Sequence, residues 1–247
     1  MRALVVIPTY NERENIADIV TRVRALDVDV LVADDASPDG TGAIADQLAS
    51  RDPRVHVLHR AGKEGLGRAY LDAFRWGLAR GYTHLVEMDA DGSHRPEQLG
   101  SLLSRAVAAD RPDLVIGSRW VAGGEVVNWP RHRELLSRGG NLYVRLWLGL
   151  PVADATAGFR VYTREVLERI DFDSVGVSGY YFQVEMTRQT VAAGGSVVEV
   201  PISFVERTRG ASKMSGAIVR EAMWRTTDLG LRLRGAQLRR ALRRTAE

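Results

Sequence analysis

No cysteine occurs among the 247 residues, so the chain has no disulfide, no thiolate metal site and no thiol chemistry. A reducing, cytosolic setting fits that composition. Long apolar runs are missing too: none approaches the ~20 residues that a membrane-spanning helix needs. The opening Met1-Arg2-Ala3-Leu4-Val5-Val6-Ile7-Pro8 is too short, and too soon broken by proline, for a signal peptide. The chain is expected not to cross a membrane by itself. Internal repeats and low-complexity tracts are also absent. The formal net charge is only +3, but it is unevenly placed. From Arg207 onward there are eleven Arg or Lys against Glu221, Asp228 and Glu247. Such a tail suits anionic lipid, nucleic acid or an acidic partner, or else is simply a solvated helix face.

What is present is alternation. Apolar, β-rich runs at Leu4 to Ile7, Val28 to Ala33, Val55 to Leu58, His84 to Met88 and Asp113 to Ile116 are separated by helical patterns. That rhythm predicts βαβ units, a mostly parallel sheet flanked by helices, and an α/β class. Asn11, three residues before Glu14, resembles a capping box ahead of Ile16, Ile19, Val20 and Val23. Leu66, Tyr70, Ala73, Phe74 and Leu78 predict a helix ending at Gly81, and Pro96 suits the first turn of another. After Ser118 the rhythm weakens. Gly123-Gly124, Trp129-Pro130 and Gly139-Gly140 punctuate an arginine-bearing segment that resembles a substrate-facing insertion. Order resumes with Gly158 to Tyr162, a helix near Phe182 to Ala193, a strand Val197 to Val205 and an amphipathic, basic helix from about Ala217. The expected division is a catalytic unit over 1–216, with halves 1–118 and 119–216, and a basic helix and tail over 217–247.

Two acidic strand ends carry the functional signal. In an open parallel sheet, ligands bind outside the carboxyl ends of the strands. Asp34-Asp35 follows one such run and Asp89-Ala90-Asp91 another. Asp-x-Asp alone is more often a turn than a metal site, but a carboxylate pair on a rigid strand end can hold a hard divalent cation against a phosphate. Ser37 and Asp39 are assigned to the turn, and Asp35 to the ligand edge. Gly62-Lys63-Glu64-Gly65-Leu66-Gly67 lacks the order of a phosphate loop and reads as helix entry. His94 has no partner at ligand spacing, and Trp120, Trp129 and Trp147 either line an apolar groove or pack the core. Arg119 should emerge on the same edge as Asp89 and Asp91. Arg207 and Lys213, bracketing a short flexible stretch, suit a second phosphate, whereas Arg131 and Arg138 read as surface charge.

Taken together, Val6-Ile7-Pro8-Thr9-Tyr10-Asn11-Glu12, Asp34 to Thr41, Met88-Asp89-Ala90-Asp91, Gly117-Ser118-Arg119, Gly158-Phe159-Arg160 and Val200 to Phe204 resemble the family 2 glycosyltransferases. Within them the resemblance is most nearly to the dolichol-phosphate (polyprenol-phosphate) mannose synthases, and it runs from about Ala3 to Lys213. It implies a GT-A fold and transfer of mannose from GDP-mannose to a polyprenyl phosphate with inversion. By the same resemblance, Pro8, Tyr10, Glu12, Ala33 and Asp35 would hold the nucleoside, and Asp89, Ala90 and Asp91 the metal and diphosphate. Ser93 stands where relatives can carry a metal-coordinating glutamine. Arg207 and Lys213 would clamp the diphosphate, and Arg119, Arg133 and Ser137 would meet the acceptor phosphate. The implied cofactor is Mg2+ or Mn2+. Asp89, Asp91 and Arg119 would carry the catalysis.

Elementary chemistry agrees. Breaking a sugar–diphosphate bond builds charge on the leaving oxygen, which a divalent ion neutralises. A phosphate monoester, with its second pKa near ~6, is already largely dianionic at neutral pH and needs no general base. Asp154 and Glu185 are therefore expected to orient arginines or cap local structure. The implied setting is peripheral on the cytoplasmic face of a membrane, either directly or through a separate anchoring protein. Alternatives are UDP-glucose as donor, a glycan hydroxyl as acceptor, or a non-catalytic sugar-nucleotide or nucleic-acid-binding module. Nucleic acid is not expected as a partner, because two acidic strand ends repel a phosphate backbone.

Overall fold

A computed structural model describes residues 1–176, 181–206, 223, 224, 226–232 and 234. Strands β1 (Ala3–Thr9) and β2 (Asp29–Asp34) are buried almost throughout, as strands covered on both faces must be. With β3 (Val55–His59), β4 (His84–Glu87), β5 (Leu114–Ser118), β7 (Arg160–Thr163) and β8 (Val197–Pro201) they form one sheet, ordered β3-β2-β1-β4-β7-β5-β8. Only β7 runs antiparallel to its neighbours. The order of strands reverses beside β1, and because β1, β2, β4 and β5 all run the same way, their carboxyl ends share one edge.

Helices cover both faces. Ile16, Ile19, Val20 and Val23 of α1 (Ile16–Arg24) and Leu99, Leu102 and Leu103 of α4 (Leu99–Ala106) pack one side. Tyr70 and Phe74 of α3 (Leu66–Ala79) pack the other side with Phe182 of α7 (Tyr181–Ala192). The helices α2 (Thr41–Arg51) and α6 (Arg164–Arg169) complete the flanks. Helix α3 closes as its glycine predicts. Gly81, at φ +78°, donates to the Leu78 carbonyl (3.2 Å), and Tyr82 donates to the Gly77 carbonyl (3.3 Å). Gly65, at φ +100°, sits immediately before α3, so the glycine segment does serve helix entry. Pro96 opens a 3-10 turn (Pro96–Gln98) that leads into α4.

Three expectations are corrected. Asn11 does not cap α1: it sits at φ +61° in a turn, its N–H donates to Ser37 Oγ (3.1 Å), and the helix starts only after Asn15. The run Val197 to Val205 is two strands. Pro201 has no N–H for the ladder, so the chain leaves the main sheet and continues as β9 (Ser203–Val205) beside β6 (Glu125–Val127). Gly139-Gly140 does not punctuate a loop. Both lie inside the 18-residue helix α5 (Arg131–Leu148), which starts after Pro130 and stops at Gly149, φ +67°. Burial of Asn141 and Val144 outweighs the weak helix propensity of two glycines.

The described residues between 223 and 234 are helical and pack on α5. Tyr143 Oη lies 2.6 Å from Thr227 Oγ1, and a Cβ at Gly230 would fall 2.1 Å from Trp147 Nε1. Arg207, Lys213, Ile218, Val219, Ala222 and Leu233 lie outside the described residues. Among the described residues no helix is long and apolar enough to cross a membrane.

Candidate active site

A cavity of about 390 Å³ opens at the carboxyl edge of the sheet. Its left wall is built by two latched turns. Asp39 accepts from the Thr41 N–H (3.0 Å), the Thr41 hydroxyl (2.6 Å) and the Arg13 N–H (3.1 Å). The Thr41 hydroxyl in turn accepts from the Glu12 N–H (3.0 Å). Asp34 is consumed by Thr9 (3.0 Å) and by the Ser37 hydroxyl (2.6 Å) and N–H (3.1 Å). These bonds fix Pro8, Tyr10, Glu12 and Asp35 along the cavity wall, with the Lys63 ammonium 4.1 Å from the centre of the Tyr10 ring. Ser37 and Asp39 thus serve the turn, and Asp35 faces the ligand edge. Burial raises the Asp35 carboxyl above its usual range, against the pull of its ion-pair partner Arg60.

The centre of the cavity holds Asp89, Ala90 and Asp91, just past the end of β4. The Asp89 N–H donates to His94 Nδ1 (3.1 Å), the Tyr70 hydroxyl donates to Asp89 Oδ1 (3.4 Å), and the Ser93 N–H donates to Asp91 Oδ1 (3.0 Å). His94 is packed between Phe159 (5.2 Å) and Phe204 (5.3 Å). Burial lowers its pKa to about 4, so the ring is neutral, with Nδ1 accepting and the proton on Nε2. His94 therefore buttresses Asp89 rather than offering Nδ1 to a metal. Among the described residues, no group of three or more His, Asp or Glu side chains is placed to hold an ion. Two carboxylate donors do fit Mg2+ or Mn2+ whose remaining ligands are phosphate oxygens and water.

The right wall is cationic. Arg119, next after β5, is 7% exposed and is held by Asp154 through Nε (2.7 Å) and Nη2 (2.6 Å). Burial would raise the Asp154 carboxyl, but the charge of Arg119 and its hydrogen bonds prevail and hold it below the usual range. Asn141 of α5 joins this network at Asp154 (3.2 Å) and Thr156 (3.1 Å). Arg160, fully buried, anchors the same loop at the Ala155 (2.7 Å) and Ala157 (2.6 Å) carbonyls. Arg133 pairs with Glu206 (2.7 Å) and lies 4.0 Å from the centre of the Trp129 ring, with its buried Nε unpartnered. Asp154 and Glu185 both orient arginines, Glu185 through Arg188 (2.6 Å). Trp129 lines the cavity, while Trp120 packs edge-on to it and Trp147 stacks on Tyr143.

Of the residues singled out from sequence, Pro8, Tyr10, Glu12, Asp35, Asp89, Ala90, Asp91, Arg119, Arg133 and Ser137 line one cavity. Ala33 and Ser93 do not: the first lies in the core and the second is 2% exposed, meeting Asp91 through its N–H. Arg131 and Arg138 are exposed, as surface charge should be. Sequence reasoning missed Arg60, Asn141, Thr156 and Gln183. Arg60 could have been found, because it follows β3 on the edge already identified. The others depend on tertiary packing.

Comparison with known proteins matches the description Glycosyl transferase family 2 to residues 4–171. The chain is 57% identical over 234 residues to the polyprenol monophosphomannose synthase of Mycolicibacterium smegmatis, covering 94% of this chain and 88% of that one. It is 55% identical over 244 residues to the undecaprenyl-phosphate mannosyltransferase of Micrococcus luteus, covering 98% and 99%. In fold it resembles the mannosyltransferase PcManGT of Pyrobaculum calidifontis, solved with GDP-Man and Mn2+, at TM-score 0.56 and 17% identity, over 95% of this chain and 75% of that one. The expected GT-A fold, with its mostly parallel sheet between helices, is the one observed. A family match over most of the sheet, together with identities above one half across nearly the whole chain, establishes that the chain belongs to glycosyl transferase family 2.

Proposed function

We propose that the chain transfers mannose from GDP-mannose to a polyprenyl phosphate with inversion, releasing GDP and a β-linked mannosyl lipid. The observation that carries this reading is the division of one cavity into an acidic centre, Asp89 and Asp91, and an arginine wall, Arg119 and Arg133. Two phosphates of different molecules are what such a division accommodates. The two similar enzymes, a polyprenol monophosphomannose synthase and an undecaprenyl-phosphate mannosyltransferase, support the sugar and the lipid, and the PcManGT complex supplies a precedent for GDP-mannose.

In this reading Pro8, Tyr10, Glu12 and Asp35 take the nucleoside and Arg119, Arg133 and Ser137 the acceptor phosphate. Arg207 and Lys213 would clamp the diphosphate. Asp89 and Asp91 would hold Mg2+ or Mn2+, which stabilises negative charge on the departing GDP. Ser93 supports Asp91 rather than reaching the ion. The acceptor attacks as a dianion opposite the leaving group, at a carbon that becomes oxocarbenium-like. No proton has to be removed, which suits the commitment of Asp154 to Arg119.

The lipid would approach along α5. Leu136, Gly140, Tyr143 and Val144 of this helix face the cavity, while Leu135, Leu142 and Leu146 are 70%, 54% and 69% exposed. The last three share one outer stripe, with Arg131, Arg138 and Arg145 beside it, and Trp224 and Leu231 of the segment packed on α5 are exposed as well. Leucines flanked by arginines fit peripheral contact with an anionic bilayer. The test is transfer of labelled mannose from GDP-mannose to a short polyprenyl phosphate with Mg2+ or Mn2+. A product formed only from UDP-glucose, or only on a glycan hydroxyl, would replace this reading.

A further inference from the structure

Most polar side chains around the cavity are committed to one another; Gln183 is an exception. It stands in the first turn of α7, is 4% exposed, lines the cavity, and its Oε1 has no hydrogen-bond partner. A buried amide oxygen left in that state carries an uncompensated desolvation cost, and such atoms are commonly completed by a ligand or water. Its main chain is firmly held: the Gln183 carbonyl accepts from Arg160 Nη1 (2.9 Å) and from the Thr187 hydroxyl (2.9 Å). The amide therefore projects from a fixed base.

Gly158 shows what lies around it. A Cβ there would come within 3.3 Å of His94 Cε1, 3.5 Å of Asp89 Oδ2 and 3.8 Å of Gln183 Nε2. Glycine thus leaves a crevice in the cavity floor bounded by Asp89, His94 and Gln183. His94 is already engaged through Nδ1, so beside Asp89 the group left to meet a ligand in the crevice is the Gln183 amide, with Nε2 on the crevice side and Oε1 unpartnered. A hydroxyl, which both donates and accepts, completes that amide in either orientation.

We infer that Gln183 reads the transferred sugar, its amide hydrogen-bonding one hydroxyl of the hexosyl ring while Gly158 leaves room for that ring. The inference rests on the reading that Asp89 and Asp91 mark the donor diphosphate. The anomeric carbon is bonded to that diphosphate, so the ring lies within its own width of Asp89, where the crevice is. A buried amide distinguishes hydroxyl-bearing from deoxy positions, because losing the hydroxyl leaves the amide unpaired.

The test compares the full-length wild-type chain with Gln183→Leu, which keeps the volume, and Gln183→Asn, which keeps the amide. GDP and GDP-mannose binding are measured by calorimetry with Mn2+, and transfer is measured with GDP-mannose and with donors lacking one mannose hydroxyl each. The expected result is unchanged GDP affinity and a fall of about tenfold in kcat/KM for GDP-mannose in Gln183→Leu. The deoxy donor that wild type uses poorly should lose its relative deficit in this variant. Equal deoxy-donor rankings in both proteins would overturn the inference, as would an equal loss of GDP and GDP-mannose affinity. Should Gln183→Leu not fold, Gln183→Asn is read by the same ranking. A wild-type chain that transfers no mannose would instead overturn the proposed reaction.

Discussion

Replacing Asp154 by asparagine should be damaging even though it barely changes volume. The Asp154 side chain is fully buried. Its Oδ2 accepts from the Arg119 N–H (3.0 Å) and Nε (2.7 Å), and its Oδ1 from Arg119 Nη2 (2.6 Å) and Asn141 Nδ2 (3.2 Å). Asparagine keeps one acceptor, turns the other into a donor facing donors, and removes the charge opposite a buried guanidinium. Breaking a buried pair from one side costs about 3–5 kcal/mol, a large part of a typical total of about 5–15 kcal/mol. Urea unfolding followed by circular dichroism should show a loss of that size. The double variant Arg119→Met/Asp154→Leu removes both charges and should recover much of the stability without recovering activity. Acidity supplies a second readout. The folded pKa of Asp154 is depressed, so its contribution is complete above the unfolded value of about 3.9 and is lost as pH falls through the lower folded value. The acid limb of the stability curve should therefore be shallower in Asp154→Asn than in wild type. A loss below about 1 kcal/mol, or a double variant no more stable than the single, would refute the reasoning.

Asp91→Ala should lower metal-dependent turnover by about a thousandfold or more while leaving the melting temperature near wild type; full activity would remove the metal-site argument. Arg133→Ala should raise KM for the polyprenyl phosphate and leave KM for GDP-mannose alone, and unchanged acceptor kinetics would count against its assignment. Leu142→Ser with Leu146→Ser should weaken flotation with anionic liposomes by about tenfold or more, since two large apolar side chains no longer enter the interface. Equal flotation of this variant and wild type would exclude α5 as the docking face. Gly77→Ala should destabilise by about 1–3 kcal/mol in thermal unfolding, because its Cβ would meet Leu85 Cδ2 at 2.8 Å and Leu4 Cδ2 at 2.9 Å. A neutral effect would mean that those leucine ends yield freely.

Much of the frame of the site was legible in the chain itself. Buried strands read as continuous apolar runs, and parallel βαβ order sends their carboxyl ends to one edge, which by itself brings Asp35, Asp89 and Arg119 together. Gly65 and Gly81 marked the ends of α3 because their backbone angles are ones that glycine adopts freely. These are local signals, each contained within a few residues. Tertiary structure decided the rest. Helix α5 runs through Gly139-Gly140 because Asn141 and Val144 are buried against elements distant in sequence, an energy that helix propensity does not contain. The insertion of antiparallel β7 between β4 and β5 brings Asp154, Thr156 and Gly158 under Arg119 and Asp89. Asp154 and Gln183 carry no spacing motif, and what sets them apart is burial, one paired and one not. Periodicity and turn chemistry act between near neighbours and so survive in the sequence alone; desolvation and ion pairing depend on which distant segments meet, and only the folded chain brings those together.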